Sequence, residues 1–312
     1  MQYKRLGSAG VKVSAIALGG WINFERKIPE DQAEGIVRLA YENGVNFYDL
    51  ADVYGTGQAE EWMGGMLRQF PRHTLVISTK VFFEMSDDVN DRGLSRKHVL
   101  ESIDKSLKRL GTDYVDIYFC HRPDPETPIL ETARAMDDLI HQGKVLYWGT
   151  SEWEPDQIQE TCDLCEQYGL YPPQVEQPQY SMLYRERVEK QIVPVAEPRG
   201  IGLTVFSPLA MGMLTGKYDD GIPQDSRFAT EAWSKENFFT EENAEKVRQL
   251  KAVADDLGLT RAQLALAWAA QQKGVSSVIT GATKIAQMED NLGAGEVTLS
   301  DDVLAQIEEI LG

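Results

Sequence analysis

The feature that most constrains this chain is an alternation. Eight short apolar runs, AIALGG, NFYDL, LVISTK, YVDIYFCH, VLYWGTS, QVEQPQY, GLTVFSP and SSVITG, recur along it as strand-like segments. Between them lie stretches with helical spacing, among them PEDQAEGIVRLAYENG, SRKHVLESIDKSLKRLG and EPDQIQETCDLCEQYG, several opened by an N-cap or Pro and closed by Gly. A strand followed by a helix, eight times over, is the pattern of an α/β (β/α)8 TIM barrel. The length of 312 residues suits one such barrel, and no Pro/Gly/Ser-rich linker divides it, so residues 1–312 are expected to form a single domain.

Three segments depart from the pattern. YKRLGSAGVKVS alternates around SAG and predicts a β-hairpin ahead of the first barrel strand. Residues 215–240 and the stretch VFFEMSDDVNDRG are far longer than ordinary connections, which marks them as lid or binding segments. Each follows a strand, so in a barrel both lie at the C-terminal face, where TIM-barrel chemistry is done.

Charge narrows the partners. With 31 Lys and Arg against 49 Asp and Glu the net charge is −18, which repels nucleic acid and anionic membrane surfaces. The N-terminus lacks the pattern of a signal peptide and no stretch stays apolar for about 18 residues, so a cytoplasmic protein is expected. Cys120, Cys162 and Cys165 fit a reducing compartment, and Ile158, Cys162 and Cys165 share one helix face, which favours core packing over redox or metal work. His73, His98 and His141 lie in polar loop or helix-end contexts without common ligand spacing, so no metal site is expected.

The strand ends carry the chemistry. Asp49 ends the second strand with Tyr54 five residues on, Lys80 ends the third and His121 the fourth, so the barrel would gather four titratable groups at one mouth. A phenol titrates near 10, but an ammonium beside it stabilises the phenolate, so Lys80 is expected to lower the Tyr54 pKa and make it a general acid. Asp49 would keep Lys80 charged, and His121 would hydrogen-bond a substrate oxygen or share the proton. Taken singly, each has an ordinary structural explanation as a turn cap, rim residue or strand end; four together weaken it. Asp52 reads as a turn residue.

YDLADVYG, STK at 78–80, HRPDPETP at 121–128, YWGTSEW, EQPQY, FSPLAMGMLTGKY and GATKIAQMEDN together resemble the aldo-keto reductase superfamily. RGLSRKHVLESIDKSLKRLGTDYVDIYFCHRPDPETP and GKYDDGIPQDSR resemble its potassium-channel β-subunit branch and the bacterial relatives of that branch. The resemblance implies a barrel that binds NADPH without a Rossmann domain and reversibly reduces aldehydes or ketones to alcohols, with Asp49, Tyr54, Lys80 and His121 as the catalytic tetrad. It implies that Ser151 and Gln177 hold the nicotinamide carboxamide, that Phe206 stacks on the ring and that Gly20, Trp21 and Asp49 flank it. Ser207, Pro208, Leu209, Gly212 and Lys217 would follow the pyrophosphate with Arg227, and Gly281, Thr283, Lys284, Gln287, Asp290 and Asn291 the adenosine end. Glu152 departs from the Asn or Arg of relatives, and no carboxamide contact is carried over to it.

Trp21, Tyr54, Phe82, Phe83 and His121 are expected to wall the substrate pocket, with Trp153 a further candidate and Trp233, Phe238 and Phe239 in a lid or packing it. Small or aromatic aldehydes and dicarbonyls are the expected substrates, and homo-oligomers occur among relatives. The alternative is a redox-sensing, weakly catalytic NADPH-binding subunit like the channel partners. Against it stand the His at 121, often Asn in channel subunits, and the absence of any extension before Tyr3 beyond two residues. A Schiff-base enzyme using Lys80 is disfavoured because Asp49 would hold the lysine protonated.

Overall fold

The computed structural model describes residues 1–21, 28–224, 226–230, 235, 236 and 238–312. All eight expected strands form: β3 Ile16–Gly19, β4 Phe47–Asp49, β5 Val76–Val81, β6 Val115–Cys120, β7 Val145–Thr150, β8 Val175–Glu176, β9 Gly202–Val205 and β10 Val275–Thr280. They pair in parallel, in chain order, and β10 closes on β3. Ahead of them the predicted hairpin pairs β1 Tyr3–Arg5 with β2 Lys12–Ser14.

The strands read as nearly continuous apolar runs because both of their faces are covered. A period of two sends Ile16, Leu18, Ile77, Tyr118, Trp148, Leu203 and Val205 outward, into the large core under the helices. Ala17, Phe47, Val76, Ile117, Phe119, Val175 and Ile279 point inward and form a separate cluster with Leu6, Ala9 and Val13. The hairpin therefore plugs the N-terminal end of the barrel with Leu6 and Val13, both wholly buried.

Helices α1 Glu30–Glu42, α2 Gln58–Leu67, α3 Arg96–Leu110, α4 Ile129–His141 and α5 Pro155–Tyr168 follow the strands as the spacing predicts. Ser95 caps α3 by accepting from the His98 N–H, and Gly111 ends it at φ 67. Ile158, Cys162 and Cys165 lie buried on α5 with the thiols free, and burial pushes the Cys165 thiol up to about 12. His98 departs from its expected polar setting. It is buried in the first turn of α3, with no partner for Nε2 among the described residues, because the Asp91 loop folds over that end of the helix.

The segment at 215–240 carries a short helix at Arg227–Thr230, and Phe228 stacks on Tyr218 with ring centroids 4.2 Å apart. Phe238 is buried and Phe239 meets Phe228 edge-on, so these two pack the segment itself; Trp233 lies outside the described residues. Trp153 is likewise buried in the core rather than at a pocket wall.

Gly149 shows how tightly the barrel closes: a Cβ there would stand 2.3 Å from the Val175 carbonyl oxygen and 3.0 Å from the Phe119 ring. Gly149→Ala is expected to lose about 1–3 kcal/mol in urea unfolding, the usual penalty of overpacking. Gly10→Ala, where a new Cβ meets nothing within 4 Å, is expected to change stability by less than about 0.5 kcal/mol. Equal effects at the two positions would contradict this account of strand packing.

Candidate active site

Carried two residues further, the inward period gives the lining of the C-terminal mouth. Ala17 leads to Gly19 and Trp21, Phe47 to Asp49, Val76 to Ser78 and Lys80, Ile117 to Phe119 and His121. Gly149 leads to Ser151, Val175 to Gln177, Thr204 to Phe206 and Ile279 to Gly281. Apolar side chains fill the lower barrel and polar ones its upper layer.

Asp49 is the hub of that layer. Its Oδ2 accepts from Lys80 Nζ at 2.6 Å, and its Oδ1 accepts from Ser78 Oγ at 2.7 Å and from Gln177 Nε2 at 2.9 Å. Lys80 Nζ also donates to the Leu50 carbonyl at 2.6 Å and to the Tyr54 hydroxyl at 3.3 Å. These three acceptors match the three N–H bonds of an ammonium. Burial works against the charge on Lys80, but Asp49 and Tyr54 outweigh it, and the pKa stands above that of a free lysine.

Tyr54 corrects one expectation. Burial raises its pKa above an ordinary phenol, and Lys80 pulls it down without reversing the shift, partly because Asp49 opposes that pull. The hydroxyl thus keeps its proton at neutral pH. The His121 ring stands edge-on to Tyr54, centroids 5.8 Å apart. Burial first, then Lys80 and Arg122, hold its pKa well below that of free histidine, so the imidazole is neutral and its buried Nδ1 has no partner among the described residues. Phe83 packs edge-on against His121 at 4.9 Å and against Phe82 at 5.2 Å, which places this aromatic pair beside the group.

Asp52, read from sequence as turn chemistry, does more. It occupies a turn, but its carboxyl is wholly buried beneath α3, where Oδ2 accepts from Ser102 Oγ at 2.9 Å. Burial, then the nearby Glu60 carboxylate, pushes its pKa up to about 7. Glu60, also fully buried, accepts from Thr79 Oγ1 at 2.5 Å and from Arg109 Nε at 2.6 Å. Thr79 points outward because Lys80 points inward, so this network braces the Lys80 strand against α2 and α3 from behind. The sequence sign of it was the acid at position 60 on an otherwise buried helix face.

The residues matched to a nicotinamide cofactor form several small groups. Ser151 Oγ donates to the Gln177 carbonyl at 2.9 Å, and Phe206 is half-buried at the next strand end. Glu152, at φ 58, turns its Oε1 to the Gln179 N–H at 2.6 Å and its Oε2 toward Arg187, which ties the two loops together. Along 207–212, Ser207, Ala210 and Met211 take positive φ as Gly212 does, a strained path of the kind kept at ligand-binding loops. Pro208 and Leu209 lie within it, and a Cβ on Gly212 would stand 2.6 Å from Lys217 Nζ. The Arg227 guanidinium lies over the Trp21 ring at 5.7 Å and also touches Met211.

At the far end, Lys284 is the N-cap of helix Ile285–Gly293, and Gln287 Oε1 accepts from the Thr283 N–H at 2.8 Å and from the Lys284 N–H at 3.2 Å. Asn291 is buried, and Asp290 accepts from Thr260 on a neighbouring helix N-cap. Gly20 has a packing reason of its own: a Cβ there would stand 2.4 Å from Leu50 Cδ2.

Fold and mouth together define a TIM barrel with a buried Asp49–Lys80 pair at the strand ends, hydrogen-bonded to the half-buried Tyr54. The profile of the Aldo/keto reductase family matches residues 15–312, and the chain belongs to this family of oxidoreductases. Over 318 aligned positions it is 47% identical to a protein of Arabidopsis thaliana named probable voltage-gated potassium channel subunit beta, covering 100% of this chain and 97% of that one. A protein of the same name from Oryza sativa subsp. japonica is 45% identical, with the same coverage.

Two predictions follow from this polar layer. Lys80→Met leaves Asp49 charged and buried without its cation and is expected to lose about 3–5 kcal/mol in chemical unfolding, part of it recovered by adding Asp49→Asn; a double variant no better than the single contradicts it. The second concerns pH. In the fold Asp52 keeps its proton up to about 7, whereas in the unfolded chain it loses it near 4, so its contribution to stability falls as pH rises through that window. Asp52→Asn removes that titration and is expected to flatten the dependence of the urea midpoint between those pH values; an unchanged slope contradicts the assignment.

Proposed function

We propose that the protein reduces aldehydes or ketones to alcohols with NADPH, Tyr54 acting as the general acid. The observation that carries the reading is the hydrogen-bonded chain Asp49–Lys80–Tyr54 with a neutral His121 against the Tyr54 ring. When bound, the cofactor supplies the hydride that the carbonyl carbon receives. Tyr54 begins protonated, as a donor must, and passes its proton to the carbonyl oxygen. The phenolate left behind is stabilised by Lys80 Nζ, already hydrogen-bonded to it, while Asp49 keeps that nitrogen charged. A neutral imidazole has one N–H to give, and His121 uses it to polarise the carbonyl. Lys80 is spoken for by three acceptors and carries no lone pair, which argues against a Schiff base.

The cofactor would be held by Ser151 and Gln177 at the carboxamide and by Phe206 against the ring. Ser207, Pro208, Leu209, Gly212, Lys217 and Arg227 would follow the pyrophosphate, and Gly281, Thr283, Lys284, Gln287, Asp290 and Asn291 the adenosine end. The strained loop with Lys217 against Gly212 supports an anionic guest, and Lys284 at a helix N-terminus supports the 2′-phosphate of NADPH over NADH. Gln287 would have to be shared between that role and the cap it already forms. We read residues 1–312 as one domain working in the cytoplasm. The names of the plant relatives favour a second reading, a cofactor-binding subunit whose redox state is sensed by a partner.

Tyr54→Phe is expected to bind NADPH, followed by its fluorescence, as wild type does, and to oxidise it with an aromatic aldehyde about 10²–10⁴-fold more slowly. Full turnover by the variant overturns the general-acid assignment. NADPH binding without turnover in the wild type moves the conclusion to the second reading.

A further inference from the structure

Arg122 follows His121 directly and belongs to no group assigned above. Its guanidinium is half-buried at the mouth: Nη1 donates to the His121 carbonyl and lies 3.4 Å from Ser151 Oγ, and Cζ is 5.7 Å from the centroid of the Phe83 ring. Tyr54, His121, Phe83 and Arg122 thus form a continuous row, with the proton donor at one end and a cation at the other.

Among the described residues no carboxylate lies within ion-pair distance of Arg122, in a chain with 49 acids to 31 Lys and Arg. Acids on the loops that follow β6, β7 and β5 are engaged elsewhere. Asp124 accepts from the Leu94 N–H at 2.7 Å and from Thr127 Oγ1 at 2.7 Å, and Glu152 from the Gln179 N–H at 2.6 Å. Glu84 pairs with Arg92. Among the described residues only Nη1 has polar partners, so Nη2 and Nε keep their donors for a guest, in the fork geometry that matches a carboxylate.

We infer that Arg122 is a specificity-determining residue that selects carbonyl substrates bearing a carboxylate about one aromatic ring away from the reacting carbon. The inference rests on the reductase reading for the position of the carbonyl, between Tyr54 and His121. The anion is drawn to a guanidinium that no carboxylate among the described residues neutralises, and its desolvation against Phe83 is offset by a bidentate charge-assisted pair.

The test compares 4-carboxybenzaldehyde with methyl 4-formylbenzoate, alike in ring and substitution position but different in charge; the ester carries the more electrophilic aldehyde, so intrinsic reactivity opposes the expected preference. Wild type is expected to favour the acid in kcat/KM. Arg122→Met is expected to reduce kcat/KM for the acid about tenfold more than for the ester, through KM, and Arg122→Lys to recover part of the preference. Binding of 4-carboxybenzyl alcohol, followed by tryptophan fluorescence with NADP+ present, is expected to weaken in parallel in Arg122→Met. Equal losses on acid and ester, or weaker NADPH binding with the acid-to-ester ratio unchanged, overturn the inference. If wild type turns over neither aldehyde yet binds the carboxylate through Arg122, the reductase reading fails and the anion site stands.

Discussion

The contact between Lys80 and Asp49 is the constraint around which the upper barrel is arranged. An ammonium and a carboxylate, both wholly or nearly buried, are tolerable only when each remaining donor and lone pair is satisfied. That requirement recruits Ser78, Gln177 and the Leu50 carbonyl around the pair and leaves Tyr54 as the remaining acceptor for Lys80. Behind it, Thr79, Glu60 and Arg109 fix the strand to two helices. The placement of the Tyr54 hydroxyl against Lys80 is therefore a by-product of how one buried charge is made bearable.

Much of this was legible in the sequence because a barrel converts sequence period into position. Once eight strands are placed, a step of two from any inward apolar residue lands on a residue at the mouth. Asp49, Lys80 and His121 fall on such steps, which is why strand ends alone located them; Ser151, Gln177, Phe206 and Gly281 fall on the same steps but were reached through the family resemblance. The hairpin was equally readable, since its alternation needs no partner to be seen.

What escaped the sequence were properties that depend on neighbours remote along the chain. Asp52 looks like any turn aspartate until α3 covers it and Glu60 approaches, fifty and eight residues away. For Tyr54 the sequence shows the ammonium that lowers its pKa but not the burial that raises it. His98 stands in a polar helix-end context by sequence, and the loop that buries it has no regular pattern to announce the burial. Gly20 answers to Leu50, which no spacing rule reveals.

The hairpin plug has a consequence for traffic. With Leu6 and Val13 sealing one end, the barrel is a cup rather than a tube. Nothing can thread it, so whatever enters does so through the same rim by which it must leave.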